Sequence, residues 1–150
     1  MGVEFSSDEY FMREALRQAR RALAADEVPI GAVVVREGQI ISRAWNQVEM
    51  LKDATAHAEM LVIRAAAEIL GSERLIDCDL HVTLEPCAHT GRTGPCCDAL
   101  AAAGIGKVVA ALEDPNPKVA GQGLARLIVH RSYVDVESGA DLLTQRRAEA

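Results

Sequence analysis

Two short segments constrain most tightly how this chain can fold: His57-Ala58-Glu59 and, beginning 28 residues beyond His57, Glu85-Pro86-Cys87, which is followed by Cys96. A lone histidine or cysteine on a helix is ordinarily packing. Here His-x-Glu falls where a helix begins, Pro-Cys where a strand ends, and Cys96 where a second helix begins. A zinc centre that activates water needs three protein ligands, one open position and a carboxylate that carries protons without binding the ion. Those groups are present as His57, Cys87, Cys96 and Glu59, so the fold must bring two helix starts and a strand end to one point.

The local sequence supports each placement. The run from Asp53 to Gly71 has strong helix formers, a candidate N-cap at Asp53 or Thr55 and a terminating glycine, which predicts a helix over 55–70. Met60, Ile63, Ala67 and Leu70 recur at helical spacing and predict its buried stripe. His57 and Glu59, both expected in the first turn, stand about 200° apart around the axis, so both cannot bind one ion from that face; a long Glu side chain there suits a proton shuttle. Asp79 to Pro86 alternates and is β-branched, as a strand ending at proline. Pro95 is a good first helical residue, so Cys96 opens the next helix, where the helix dipole and zinc both favour thiolate.

Alternatives stay open at this level. Cys97 could replace Cys96 as ligand, although a neighbour on a helix points about 100° away. If Cys97 or His89 supplied a fourth ligand, the zinc would be closed and structural, and the protein a module without chemistry. Glu59 argues against that, since a structural centre needs no acid beside its histidine. Cys78 has no such surroundings and reads as a buried core thiol.

Across the chain we read helix 7–25, strand 28–36, a turn at Glu37-Gly38, strand 39–45, helix 55–70, strand 78–85, helix 95–103, strand 106–112, helix 119–129, strand 132–136 and helix 138–148. Strands alternating with helices imply an α/β fold: a mixed, five-stranded central sheet with helices on both faces, in three layers. The 150 residues, 49% of them hydrophobic, suit one globular domain over 1–150. No apolar run is long enough to span a membrane, and MGVEFSSDEY is acidic where a signal peptide would be basic and then apolar, so a cytoplasmic location is expected. Three of the four cysteines cluster in 87–97, which favours metal and free thiol over disulfides.

TAHAEM at 55–60 and VTLEPC at 82–87 resemble the cytidine deaminase superfamily, whose signature is H-x-E followed by P-C-x-x-C. This chain departs from the signature in one respect: eight residues, not two, separate Cys87 from Cys96. Residues 4–88 (EYFMREAL, DEVPIGAVVV, WN at 45–46, DATAHAEM, LGSERL, VTLEPCA) are similar to the bacterial tRNA adenosine deaminases, with a more distant likeness in VDVESGADLLTQRR. Residues 89–124 (HTGRTGPCCDALAAAG, DPNPKVAGQGL) are instead similar to the pyrimidine deaminase domain of riboflavin biosynthesis, where the second cysteine ligand follows GRT-x-P, as Cys96 does here.

These resemblances imply hydrolytic deamination, with one Zn²⁺ per chain held by His57, Cys87 and Cys96 and with Glu59 moving protons. They imply substrate contacts from Asn46, Ala58, Glu85 and Pro86, although Asn46 could equally cap a turn. They also imply a homodimer. Adenosine in tRNA is the first expectation; the phosphoribosylated pyrimidine of riboflavin biosynthesis and a free purine base are the alternatives. His89, Thr90, Arg92 and Thr93 could form a small anion site for a ribose phosphate, since Gly91 and Gly94 allow tight backbone turns. Arg13, Arg17, Arg20 and Arg21 could track nucleic-acid phosphates, or be a solvated helix face balanced by Glu9 and Glu14. A net charge of −6 gives no general attraction to nucleic acid, and 3% aromatics leave few stacking platforms.

Overall fold

The computed structural model describes residues 7–84, 86 and 96–111, together with the backbone of 131–133. Helix α1 (Asp8–Ala24) starts at Ser7, whose hydroxyl accepts from the Tyr10 amide at 3.1 Å, and its first turn carries Asp8 and Glu9, as the helix dipole favours. Strands β1 (Gly31–Arg36) and β2 (Gln39–Trp45) follow as a hairpin. Its tip holds Glu37 and Gly38 at φ of 53° and 75°, the paired left-handed conformation that matches the twist of two-residue hairpins.

Beyond β2 lie α2 (Val48–Leu51), α3 (Ala58–Leu70), β3 (Cys78–Val82), α4 (Cys96–Ala103), β4 (Lys107–Ala110) and β5 (Arg131–Tyr133). The sheet runs in the order β2-β1-β3-β4-β5, with β1 antiparallel to both neighbours and β3, β4 and β5 mutually parallel. This is the expected five-stranded mixed sheet. The expected helices 119–129 and 138–148, residues 134–136 and the Asp114-Pro117 loop lie outside the described residues.

Residues along β1 alternate between two apolar layers. Val33 and Val35 meet Phe11, Met12, Ala15, Leu16 and Ala19 of α1 on one face. On the other, Ala32 and Val34 meet Val62, Ala66 and Leu100 of α3 and α4, so the three layers are α1, sheet, and α3 with α4. The α1 layer sits unusually close: a Cβ added at Gly31 would lie 2.1 Å from the Ala15 carbonyl oxygen and 2.4 Å from the Ala19 nitrogen. Only glycine permits that approach. Polar contacts pin the other end of α1, where Asp8 takes His81 Nε2 and Lys107 Nζ, each at 2.9 Å.

Three expectations need correction, and one element was not expected. Helix α3 begins at Ala58 rather than 55, because Asp53 spends its side chain on Thr55, accepting from that residue's amide at 2.8 Å and hydroxyl at 2.6 Å. That is an Asx-type turn competing with the helix. Its buried residues are Ala58, Glu59, Val62, Ile63 and Ala66, so the stripe is rotated from the expected one, in which Met60, Ala67 and Leu70 are only partly buried. Strand β3 pairs only to Val82. The four-residue α2 had no periodic signal to announce it.

Candidate metal centre

The histidine half of the centre is built by the connection between β2 and α3. Asn46 follows the last residue of β2, and its amide donates to the Ile30 carbonyl at 3.1 Å. Its side-chain Oδ1 accepts from the Ala58 amide at 2.7 Å, which caps α3 from outside the helix. The capping role is therefore taken by a residue 12 positions upstream. His57, at the N-cap position, is extended (φ −73°, ψ 149°) and makes no side-chain cap bond; its ring turns toward Cys96.

The expected angular separation of His57 and Glu59 does not arise, since His57 stands just outside the helix. A ring nitrogen of His57, Cys96 Sγ and a carboxylate oxygen of Glu59 all lie within 4.8 Å of one another. Glu59 is 5% exposed and sits in the first turn of α3, where the helix dipole favours its negative charge. Cys96 opens α4 and is 1% exposed, with its sulfur 3.3 Å from His57 Nδ1. Nitrogen and sulfur ligands of a tetrahedral zinc, at their usual bond lengths, stand about 3.5 Å apart. The separation and the donor chemistry both fit the ion.

Cys97 points away from this cluster into the apolar layer with Val62 and Leu100, as the 100° argument requires. Cys78 is fully buried in the same layer; burial pushes its thiol pKa up, which keeps it protonated and inert. Pro86 is buried. Ala58 is fully buried with its N–H committed to Asn46, so that donor is not available to a bound molecule. Glu85, Cys87, His89 and Arg92 lie outside the described residues.

Two structural residues were not anticipated. Thr83 joins β3's end to β1: its hydroxyl accepts from Gly31 N at 3.2 Å and its own amide donates to Gly31 O at 3.1 Å. Glu27 is the other, a carboxylate 1% exposed on the approach to β1; the only hint in the sequence was an acid set directly before the apolar run Val28-Pro-Ile-Gly.

Residues 5–112 match the family model of the cytidine and deoxycytidylate deaminase zinc-binding region. The chain belongs to this deaminase family. Its relatives come from both of the groups that the sequence resembles. It is 58% identical over 79 residues to the tRNA-specific adenosine deaminase of Aquifex aeolicus, spanning 53% of this chain and 52% of that one. It is 42% identical over 134 residues to the riboflavin biosynthesis protein RibD of Escherichia coli, spanning 88% of this chain and 34% of that one. The chain thus covers about a third to a half of these curated relatives' lengths.

Solved structures agree with the fold. A structure from a study of A-to-I editing by tRNA:A34 deaminases aligns with a TM-score of 0.73 and 39% identity, over 84% of this chain and 98% of that one. Acinetobacter baumannii RibD aligns with a TM-score of 0.78 and 36% identity, over 95% of this chain and 39% of that one. The zinc-binding description and the His57–Glu59–Cys96 cluster identify zinc as the metal of this centre.

Proposed function

We propose that the chain is a single-domain, zinc-dependent hydrolytic deaminase that converts the exocyclic amine of a nucleobase to a carbonyl with release of ammonia, acting first on adenosine in tRNA. The observation that carries this reading is the convergence of the Glu59 carboxylate with the His57 ring and Cys96 Sγ where α3 and α4 begin. His57, Cys87 and Cys96 would hold the ion, which supplies the Lewis acidity that makes water nucleophilic near neutral pH.

The remaining work falls to the chain's own groups. Glu59 takes one proton of the attacking water and passes it to the ring nitrogen, then takes the second from the adduct's hydroxyl and delivers it to the amine, so the C–N bond breaks and ammonia leaves as the carbonyl forms. Its position in the helix's first turn, within 4.8 Å of the other two donors, serves a base that must reach both water and ring. The Ala58 amide occupies Asn46 Oδ1, which orients the amide group so that its NH₂ is what Asn46 can offer to an acceptor on the base or ribose. Pro86 and Glu85 would line the pocket. A homodimer in the cytoplasm completes the reading.

A second substrate has its own support. The match to RibD proteins extends over 88–96% of this chain, whereas the Aquifex tRNA deaminase match covers 53%. The phosphoribosylated pyrimidine would place its phosphate on His89 and Arg92. A free purine base is the third candidate. A closed structural zinc is disfavoured by Cys97, which packs into the apolar layer, and by the buried acid beside the histidine.

The deciding experiment measures inosine formation in an anticodon stem-loop by zinc-loaded protein, with Glu59→Ala as control. Inosine from the wild type alone supports the tRNA reading. Zinc-replete protein that makes none, yet releases ammonia from the phosphoribosylated diaminopyrimidine, assigns the second. An active Glu59→Ala variant would refute the role of Glu59.

A further inference from the structure

Helix α2 is too short to form on its own merits, since four residues cannot recover the cost of nucleating a helix. Its N-cap residue, Gln47, makes no side-chain cap bond, and its backbone (φ −135°, ψ 29°) is not the extended conformation from which a capping side chain folds back. The two amides that such a cap would satisfy belong to Glu49 and Met50. Both are taken by Glu27, more than twenty residues upstream: Oε1 accepts from Glu49 N at 2.9 Å and Oε2 from Met50 N at 2.6 Å. Glu27 is itself fixed, 1% exposed, with its amide donating to the Ala22 carbonyl at 2.9 Å at the end of α1.

What α2 holds in place is the metal centre. Asn46 and Gln47 lead directly into it, and both are stitched to the residues that open α3: Gln47 N donates to Ala56 O at 3.0 Å, and Asn46 Oδ1 accepts from Ala58 N at 2.7 Å. His57 lies between those two anchor points, and Glu59 follows them. We infer that Glu27 is a positioning residue for the deaminase centre: by capping α2 in trans, it sets Asn46 and through it the first turn of α3 that carries Glu59. A buried carboxylate receiving two backbone donors is a strong clamp, because each bond is charge-assisted and shielded from water. Catalytic groups displaced by about 1 Å can lose on the order of a hundredfold in rate.

The catalytic consequence rests on the deaminase reading, whereas the clamp can be tested without it. Glu27→Gln keeps size and burial but turns one acceptor into a donor facing an N–H. In zinc-loaded Glu27→Gln, amide exchange at Glu49 and Met50 should quicken on the order of tenfold, the factor expected for losing one charge-assisted bond. Exchange at Ala58 should quicken with them, while Val34 and Leu80 in the sheet keep their protection. Zinc should remain at one per chain, and kcat should fall on the order of tenfold.

Faster exchange at Glu49 and Met50 with unchanged Ala58 and unchanged kcat would overturn the inference, leaving Glu27 a local cap. Uniformly faster exchange, sheet included, would overturn it as well, by showing a general loss of stability. Should Glu27→Gln fail to fold, Glu27→Asp keeps the charge but is too short to reach both donors, and exchange at Glu49, Met50 and Ala58 decides in the same way. A wild type that deaminates none of the three substrate classes would refute the proposed function, and the exchange pattern alone would still judge the clamp.

Discussion

Replacing Gly31 with alanine tests the layer arrangement directly. The new methyl would lie 2.1 Å from the Ala15 carbonyl oxygen, 2.4 Å from the Ala19 nitrogen and 2.7 Å from the Gln18 Cβ. Comfortable contact begins near about 3.5 Å, so α1 must lift from β1 by roughly 1 Å. Two of the three obstacles are helix backbone, which cannot swing aside as a side chain could. Lifting α1 loosens Met12, Ala15, Leu16 and Ala19, all at most 1% exposed, and a radial gap of that size forfeits up to half of each dispersion contact. Overpacking of this kind costs about 1–3 kcal/mol, and a backbone obstacle puts Gly31→Ala at the upper end.

At about 2–4 °C per kcal/mol for a chain of this size, Tm should fall by roughly 6–12 °C. Gly38→Ala is the internal comparison: its Cβ meets nothing within 4 Å, and its cost is only that of an alanine at φ +75°, about 1–2 kcal/mol. Thermal and urea unfolding of both variants gives the answer. A Gly31→Ala protein as stable as Gly38→Ala would show that α1 is not seated on β1 at that distance.

Further outcomes follow from the centre and from the buried histidine. Cys96→Ala should lose most zinc on gel filtration with metal analysis, whereas Cys97→Ala should keep it and lose roughly 1 kcal/mol of packing. Glu59→Gln should retain zinc while turnover drops about 10²- to 10⁴-fold in single-turnover assays. Burial lowers the His81 pKa from its usual 6.5 against the opposing pull of Asp8, so the folded protein keeps this ring neutral. Its stability contribution is thus full above pH 6.5 and lost as pH falls below it, because the unfolded chain binds the proton more readily. For Asp8, burial works upward, but bonds from Lys107 and His81 outweigh it and hold the pKa below 3.8; that contribution is present above 3.8 and lost at still lower pH. Tm measured from pH 8 to 3 should therefore fall in two stages, and His81→Gln should flatten the first.

Where chemistry is local, the chain could be read directly. The hairpin at Glu37-Gly38 and the placing of helices on both faces of the sheet follow from short-range patterning. What escaped was set by distant partners. The start of α3 was misplaced because Asp53 and Thr55, good caps by composition, bond to each other, while Asn46 does the capping from 12 residues away. Helix α2 was invisible because its stabilising group is Glu27. The rotation argument for His57 and Glu59 failed with the helix start, since it assumed both lay on one regular turn.

Among the described residues, the centre draws its histidine and acid from one stretch of chain and Cys96 from another, and the two meet where α3 faces α4. Such a junction behaves as a socket with interchangeable fittings. The turn that presents His57 and Glu59 makes its own hydrogen bonds, through Asn46 and Gln47, without Cys96. A chain resembling tRNA deaminases up to residue 88 and riboflavin-pathway deaminases over 89–124 is what that freedom permits. Substrate preference in this scaffold should consequently move by exchange of whole connecting segments, with the proton-handling half left untouched.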